Sequence, residues 1–554
     1  MADPGKSQAP SEGAAGPNAP TSSDQAPRKK LFGREFYESI GSPKYIVAPM
    51  VDRSEFAWRM LTRSFMGPKD SNQLLAYSPM FHARLFRETA SVRNQCFQPT
   101  RSAVVEGADN KTPYLDGNPS IDRPLFVQFC ANDPDDLLDA ARYVAPYCDA
   151  VDLNLGCPQG IARKGYYGAF LQDDWDLIYR MINKLHKELP VPVTAKFRIL
   201  ETKERTLEYA KMILSAGASI ITVHGRTREQ KGHNTGLADW SYIRYLRDNL
   251  PPETVIFANG NILNHDDIEE CLEATGADGV MSAEGNLSDP AIFSEPPPVG
   301  QEGREYWRGR DGKGGWRMDA VFRRYLDIIY KYVLEVPPPK RKPLYIPGDP
   351  VEEDEEPKQE PVKEPVRNGD ADAEEGPPRK KQKRAKEKKP NSPSLVNIQG
   401  HLFQLLRPLV TKHTHIRDAL AKTRSSNMES FEHILSLVEE AVKAGIQEYE
   451  QFPERFEVPS ESPHGESLTG SMATIAEYSR PWWVCQPYIR PLPEEALESG
   501  ALKLKQKKEL LEKARAKAQS HEMPPTPDLK GPETSLGTGC DCPVPVSTDE
   551  TVRA

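Results

Sequence analysis

Short apolar runs alternate with longer amphipathic segments along residues 45–282. Apolar runs of this kind, bounded by turn-forming residues, predict buried strands, whereas apolar residues three and four positions apart predict helices. The predicted strands are residues 45–50, 74–78, 125–129, 150–155, 193–198, 220–224, 255–259 and 279–282. The predicted helices between them include residues 135–145, 175–189, 204–216, 240–249 and 266–274. This alternation is typical of parallel strands joined by crossover helices.

Eight strands of this kind fit a closed (β/α)8 TIM barrel better than a doubly wound open sheet. Almost every predicted strand ends in a polar group suited to a ligand, and barrel enzymes build their sites from the C-terminal ends of the strands. No Gly-x-Gly-x-x-Gly motif follows an early strand, which argues against a built-in dinucleotide-binding domain. The sequence therefore predicts an α/β fold, a TIM barrel followed by a small C-terminal helical domain.

Composition divides the chain into five parts. Proline, charged and small residues dominate both ends and one internal stretch, which predicts disordered tails and a disordered linker. The predicted parts are a tail (residues 1–30), the barrel (31–335), a charged linker (336–394), a helical domain (395–460) and a mostly irregular extension (461–554). Residues 93–122 interrupt the second crossover as an insertion to which the pattern assigns no role.

The net charge of −9 gives no overall sign of nucleic-acid binding, so any such surface must be local. Eight cysteines without zinc spacing predict reduced thiols and no metal site. No run of about 18 apolar residues occurs, which predicts that no transmembrane helix is present. Acidic residues before the first arginine argue against mitochondrial import, so the cytoplasm, the nucleus or both are expected. The basic run at residues 379–389 fits a nuclear localisation signal, a phosphate-binding arm or a solvated charge block.

The predicted strand 150–155 leads directly to a single cysteine. Gly156 and Pro158 prevent the strand from continuing, so Cys157 is expected on a loop at the mouth of the barrel. Its sequence neighbours offer no apolar side chains for packing, which favours a chemical role over the usual role of a small core residue. Arg163 and Lys164 follow on the same predicted loop and suit an anionic substrate.

The segment Leu153-Asn-Leu-Gly-Cys-Pro158 resembles the signature of the tRNA-dihydrouridine synthases, and the residues that follow resemble the eukaryotic subgroup acting on uridines 16 and 17 of the D-loop. The resemblance implies that the protein reduces uridine in tRNA to 5,6-dihydrouridine. In this reaction reduced FMN passes a hydride to C6 of the uracil, and Cys157 is the general acid that supplies a proton to C5. NADPH, in preference to NADH, is the implied reductant. The expected partner is tRNA, and a monomer is expected.

The flavin is expected at the strand ends, because glycine-bearing loops after strands seven and eight form the phosphate cradle of such barrels. Lys196 lies in an apolar strand, where an ammonium group is costly unless it meets an anion such as a reduced flavin. The resemblance assigns flavin contacts to Pro49, Met50, Val51, Gln128, Lys196, His224, Asn259, Gly260, Asn261, Ala283 and Glu284. Ala283 and Glu284 replace a Gly-Arg pair common in the family, so the cation that neutralises the phosphate stays open.

The resemblance gives Asn154 the task of orienting the uracil. Further candidates for substrate contacts are Arg163, Lys164, Arg198 and Arg226. The predicted helical domain carries a basic face that is expected to grip tRNA, although a helical cap on the barrel explains the same pattern.

Two other functions stay open. One is an FMN barrel oxidoreductase acting on a free pyrimidine, which would have no use for a basic helical domain. The other is a tRNA-binding protein without catalysis, which the absence of Cys157 or Lys196 would have favoured; both residues are present.

Overall fold

A computed structural model describes residues 30–67, 73–105, 107–350, 392–424, 427–456, 470–492 and 494–495. Residues 1–495 are grouped in one compact unit, and residues 496–554 in a second unit that lies wholly outside the described residues. Residues 1–29 of the predicted tail and 351–391 of the predicted linker, with its basic run, also lie outside them. Within the described ranges no helix has both the length and the apolar character needed to cross a membrane.

Eight parallel strands close into a barrel, which confirms the predicted fold. The strands of the structure are β1 Tyr45–Val47, β2 Leu74–Tyr77, β3 Phe81–His82, β4 Leu125–Cys130, β5 Ala150–Leu155, β6 Val193–Arg198, β7 Ile220–His224, β8 Val255–Asn259, β9 Gly279–Ser282, β10 Tyr306–Arg308 and β11 Gly314–Trp316. β1 pairs with both β2 and β9, and β2 pairs with β4, so the ring closes. The short β3 lies beside the end of β4, and β10 and β11 form a separate antiparallel hairpin.

The described helices cover the barrel and form a second layer beyond it. They are α1 Gly33–Ser39, α2 Phe56–Arg63, α3 Ala83–Glu88, α4 Ala90–Cys96, α5 Pro134–Val144, α6 Gly160–Lys164, α7 Trp175–Glu188, α8 Lys203–Ser215, α9 Trp240–Asn249, α10 Asp266–Thr275, α11 Glu284–Ser288, α12 Met318–Ile328, α13 Pro393–Val396, α14 Ile398–Leu405, α15 Arg407–Lys412, α16 Thr414–Lys422, α17 Met428–Gln451 and α18 Gly470–Tyr478. Asp133, Asp174 and Asp239 accept backbone N–H bonds at the starts of α5, α7 and α9, which fixes where these crossover helices begin.

The strand register brings the predicted site residues together. Asn154 of β5 lies beside Lys196 of β6. Arg198 is paired in register with His224 of β7, and His224 with Asn259 of β8. Because all eight strands point the same way, these five side chains lie on one rim of the barrel, at the C-terminal ends of the strands.

A second hydrophobic core lies beside the barrel and is shared by α2, α12 and α14–α17. Trp483 is fully buried in this core. Its carbonyl accepts a hydrogen bond from the N–H of Met318 at 2.9 Å, and the N–H of Cys485 donates to the Trp316 carbonyl at 2.8 Å. The core therefore draws on three of the parts predicted from composition, and the domain boundaries at residues 335, 395 and 460 stay predictions.

The insertion at residues 93–122 holds a buried arginine in place. Arg59 of α2 is fully buried, and its Nε lies 3.0 Å from Oδ1 of Asp122. One of its terminal nitrogens donates to Oδ1 of Asp116 at 2.8 Å. Breaking such a buried pair leaves an uncompensated charge, so this contact fastens α2 to the insertion.

Candidate active site

Hydrogen bonds to the backbone shape the loop that carries Cys157. Oδ1 of Asn154 accepts from the N–H groups of Gly156 at 3.1 Å and Cys157 at 2.9 Å. The N–H of Ala169 donates to the Cys157 carbonyl at 3.1 Å. Gly168 has a φ of +66°, and a Cβ atom there would lie 2.8 Å from the Cys157 carbonyl oxygen. Only glycine allows the backbone to approach the cysteine so closely.

A chain of buried hydrogen bonds fixes the amide of Asn154. Its Nδ2 donates to Oε1 of Gln128 at 2.8 Å, and Nε2 of Gln128 donates to Oδ2 of Asp152 at 2.8 Å. Oγ1 of Thr194 donates to the other carboxylate oxygen of Asp152 at 2.6 Å. Burial raises the pKa of Asp152 to about 6, while these hydrogen bonds oppose the rise. Because Nδ2 of Asn154 donates to Gln128, Oδ1 of the same amide faces the cysteine loop.

The expectation that Cys157 lacks apolar neighbours is wrong. Cys157 packs against a small cluster formed by Cys130, Ala162 and Tyr167. Cys130 ends β4, Ala162 lies in α6, and Tyr167 follows α6. The sequence pattern predicts a continuous loop where α6 lies. A loop prediction does not place Ala162 and Tyr167 against the thiol, and Cys130 is distant in the sequence.

Of the two thiols in this cluster, Cys157 is the accessible one. Cys130 is 1% exposed, and burial raises its pKa to about 12. Cys157 is only partly buried. A thiol that exchanges protons with a substrate must be reachable, and Cys157 meets that condition while Cys130 does not.

Lys196 is a half-buried cation held by the amide of Asn259. Its Nζ donates to Oδ1 of Asn259 at 2.8 Å, and Nδ2 of Asn259 donates to the Met281 carbonyl at 3.0 Å, which fixes the amide orientation. Burial, assisted by the positive charge of Arg198, lowers the pKa of Lys196 to about 8. An anion placed beside the ammonium group would reverse this shift.

His224 is surrounded by positive charge. Nη1 of Arg226 lies 3.0 Å from Nε2 of His224, and because a guanidinium only donates, this ring nitrogen is the acceptor of a neutral imidazole. Burial lowers the pKa of His224 well below its ordinary value. The nearby cations lower it further: Arg198, Lys196, Arg226 and Arg490.

The turn after β8 is anchored and tight. Gly260 has a φ of +110°, and a Cβ atom there would lie 2.7 Å from Cβ of Ala238. Oδ1 of Asn261 accepts from Nη2 of Arg226 at 2.5 Å and from the N–H of Ala238 at 3.0 Å. Glycine at position 260 therefore lets the turn pack directly against Ala238, where any side chain would clash.

The four cations predicted to contact substrate fall into two groups. Arg198 and Arg226 are buried, and Arg198 braces the cysteine loop because its Nε donates to the Gly156 carbonyl at 2.9 Å. Arg163 and Lys164 are exposed in the last turn of α6. Their contacts with substrate stay predictions.

The remaining predicted flavin residues lie at the same end of the barrel. Pro49 and Met50 follow β1 and are half-buried, and Val51 is 55% exposed. Ala283 follows β9, and Glu284 begins the five-residue helix α11 with its side chain exposed. Their contacts with a flavin stay predictions, since the structure gives their position only.

One cation at this rim comes from outside the predicted barrel. Arg490, in the predicted irregular extension, forms an ion pair with Glu284, and its side chain is 9% exposed. Its charge also lowers the pKa of both His224 and Arg226, because all three side chains lie close together. No motif or periodicity around Arg490 indicates this placement.

The rim thus combines a partly exposed thiol with a group of buried cations. Such an arrangement can bind an anion and deliver a proton to a molecule held beside it. In the part of the chain that the structure describes, no group of three or more His, Cys, Asp or Glu side chains is placed to hold a metal ion.

Residues 46–305 match a family model described as dihydrouridine synthase. The chain is 43% identical over 465 residues to a tRNA-dihydrouridine(16/17) synthase of Schizosaccharomyces pombe, spanning 84% of this chain and 92% of that protein. It is 42% identical over 474 residues to the protein of the same name in Saccharomyces cerevisiae, spanning 85% and 89%. A human tRNA-dihydrouridine(20a/20b) synthase-like protein is 33% identical over 252 residues, spanning 45% and 70%. The chain therefore belongs to the dihydrouridine synthase family.

Proposed function

We propose that this protein binds FMN at the mouth of the barrel and reduces uridines in the D-loop of tRNA to 5,6-dihydrouridine. One observation carries the proposal: a reachable thiol, Cys157, lies on the same rim as a cluster of cations. Asn154, whose Oδ1 accepts from the Cys157 N–H at 2.9 Å, is paired in register with Lys196. A proton donor and a site for an anionic cofactor are the two parts that this reduction requires.

The residues present fit FMN. Its phosphate is an anion, and the pocket gathers Lys196, Arg198, Arg226 and Arg490 around His224. The tight Gly260 turn packs against Ala238 and His224 and so keeps the end of β8 beside these cations. Of these four cations only Arg490 has a carboxylate within ion-pair distance among the described residues, so a bound anion stabilises this arrangement.

When bound and reduced, FMN supplies the hydride that is added to C6 of the uracil. Sγ of Cys157 gives its proton to C5, and the resulting thiolate recovers a proton from water. Asn154 positions the cysteine because its oxygen holds two consecutive N–H groups of the loop. Cys130 and Tyr167 pack against the thiol from the protein side. Lys196 balances the negative charge of the cofactor.

The relatives support an assignment to positions 16 and 17 of tRNA. Two relatives named for those positions match over most of this chain, whereas the human 20a/20b relative matches over less than half. In this proposal NADPH, in preference to NADH, reduces the flavin. The protein acts as a monomer in the cytoplasm, the nucleus or both.

A folded tRNA must turn its uridine out to reach a barrel mouth, so a second surface has to hold the remaining RNA. The helical segment beyond the barrel supplies that surface. Arg417 and Lys422 of α16 and Arg424 after it are exposed, and exposed cations bind phosphates independently of sequence.

The test is a reaction of the purified full-length protein with an unmodified tRNA transcript, FMN and NADPH. Dihydrouridine is located by mass spectrometry of nuclease fragments. We expect it at positions 16 and 17, and transcripts with cytidine at both positions serve as the matched control. Modification elsewhere would contradict the positional assignment. Reduction of free uridine or uracil but not of tRNA would favour the pyrimidine oxidoreductase instead.

A further inference from the structure

Arg490 is buried with an unused donor. Its side chain is 9% exposed and is ion-paired with Glu284. Its Nε, however, is buried without a hydrogen-bond partner. Buried polar groups in folded proteins nearly always have a partner, so an unpaired N–H beside a predicted ligand site points to an acceptor that the ligand provides.

The other arginines at the rim are already engaged by the protein. Arg226 donates to the carbonyl of Gly236 and to Asn261. Arg198 donates to the carbonyls of Gly156 and Thr227. Arg490 differs because its charge is met by one carboxylate, Glu284, which is 46% exposed and free to turn into solvent.

The guanidinium of Arg490 lies against the ring of Tyr488. The charge centre of Arg490 lies 5.2 Å from the centroid of the Tyr488 ring. The same ring contacts Arg407 of α15, at 5.9 Å. Contacts of this kind restrict the directions a guanidinium can take. The segment that carries Arg490 therefore also contacts α15, which belongs to the helical layer formed by α14–α17 beside the barrel.

We propose that Arg490 binds the phosphate group of FMN and exchanges Glu284 for it when the cofactor arrives. The inference rests on the proposed function, since it takes FMN as the cofactor. The loop after β9 carries Ala283 and Glu284 and no cation of its own, and the cation beside it comes from a residue 206 positions after Glu284. The segment around Arg490 therefore belongs to the cofactor site.

Riboflavin lacks the phosphate group of FMN. Comparing the affinities for the two flavins therefore distinguishes phosphate binding by Arg490 from a structural role of Arg490 in the pocket. Affinities of the full-length apo-protein for FMN and for riboflavin are measured by quenching of flavin fluorescence. We expect Arg490→Gln to weaken FMN binding by roughly tenfold to a hundredfold, the value of one charge-assisted hydrogen bond, and to leave riboflavin binding unchanged. Arg490→Lys should restore part of the FMN affinity.

Two matched variants control the experiment. Arg480→Gln removes one positive charge from the same segment, where Arg480 lies 4.0 Å from Asp289, and should leave the ratio of the two affinities unchanged. Glu284→Gln, the second variant, removes the carboxylate that FMN has to displace, so the proposed exchange predicts tighter FMN binding. Thermal unfolding of each apo-protein verifies folding.

The remaining outcomes contradict either the proposed FMN site or the role of Arg490. If the unmodified protein binds neither flavin, or binds both equally, the proposed FMN site fails. If it prefers FMN and Arg490→Gln keeps the same preference, the role of Arg490 is wrong. Parallel loss of FMN and riboflavin affinity in Arg490→Gln would also overturn that role, because it would show that Arg490 shapes the pocket without binding phosphate.

Discussion

His401 of α14 stacks face to face on Trp58 of α2, with ring centroids 4.1 Å apart and planes 5° from parallel. Nε2 of His401 also lies 3.0 Å from a carboxylate oxygen of Glu55, which is 2% exposed. The two residues join the helical layer to the first helix after β1. Glu55 and His401 are 346 residues apart in the sequence, so this buried contact joins distant segments of the chain.

Replacing His401 by alanine should destabilise the protein by about 3 to 5 kcal/mol, because it removes the stack and leaves the Glu55 carboxylate buried without this partner. The measurement is the free energy of unfolding in denaturant. His433→Ala, on the exposed face of α17, is the control and should change stability little. Equal stability of both variants would show that the contact does not hold the two layers together.

Replacing Cys157 by alanine should leave flavin bound and reducible by NADPH, because the thiol does not take part in either event. Uridine reduction should slow by roughly a hundredfold to ten-thousandfold, the usual cost of a lost general acid. Single-turnover formation of dihydrouridine by the pre-reduced enzyme measures this step. Cys148→Ala, at a buried cysteine of the barrel core, is the matched variant. Full activity of Cys157→Ala would remove Cys157 from the mechanism.

FMN affinity should fall as the pH rises through about 8. The pKa of Lys196 is lowered to about 8 from an ordinary 10.5, so the free protein loses this ammonium above that pH. Bound FMN, an anion, favours the charged form. Affinity is therefore steady below the shifted pKa and weakens above it by at most about tenfold per pH unit.

The decline can be assigned to Lys196 only if charge changes of the nearby groups over the same pH range are accounted for. Burial lowers the pKa values of Arg198 and Arg226 to about 10 and about 9, and the Lys196→Met control accounts for these two groups. The pKa of Asp152, about 6, lies below the window, which leaves Cys157. Binding is therefore measured in the Cys157→Ala protein. Lys196→Met should lose the decline above pH 8. A decline of equal size in that variant would assign it to another group.

The helical layer should contribute to tRNA affinity through charge. Changing Arg417, Lys422 and Arg424 together to glutamine should lower the slope of log affinity against log salt by about 0.7 to 0.9 for each phosphate that the protein no longer binds. FMN binding should not change. The matched variant changes Lys187, Arg205 and Lys211, three exposed cations on the outer barrel helices. Identical slopes for both triple variants would mean that the helical layer only caps the barrel.

The sequence pattern predicts the barrel well because strand periodicity is a local property. Strands β5 to β9 begin and end at the predicted residues. The strand predicted at 45–50 ends earlier, at Val47. The loop position of Cys157 is also predictable, since Gly156 and Pro158 mark a turn in any structural context.

Other features depend on contacts between distant segments and have no local signal. Arg59 looks like an ordinary cation of an amphipathic helix until Asp116 and Asp122 are placed beside it. Arg490 lies in a proline-rich stretch whose composition predicts irregular structure. Such partners become visible only when the three-dimensional arrangement is known.

The burial of Trp483 has a consequence for how the protein is made. Its partners in the second core from Phe56 to Ile446 all leave the ribosome before it does. Until Trp483 emerges, the nascent polypeptide carries an uncovered apolar surface that invites aggregation or capture by chaperones. A product truncated by premature termination keeps that surface exposed and is open to degradation. The second core can therefore close only after the segment around Trp483 has been synthesised.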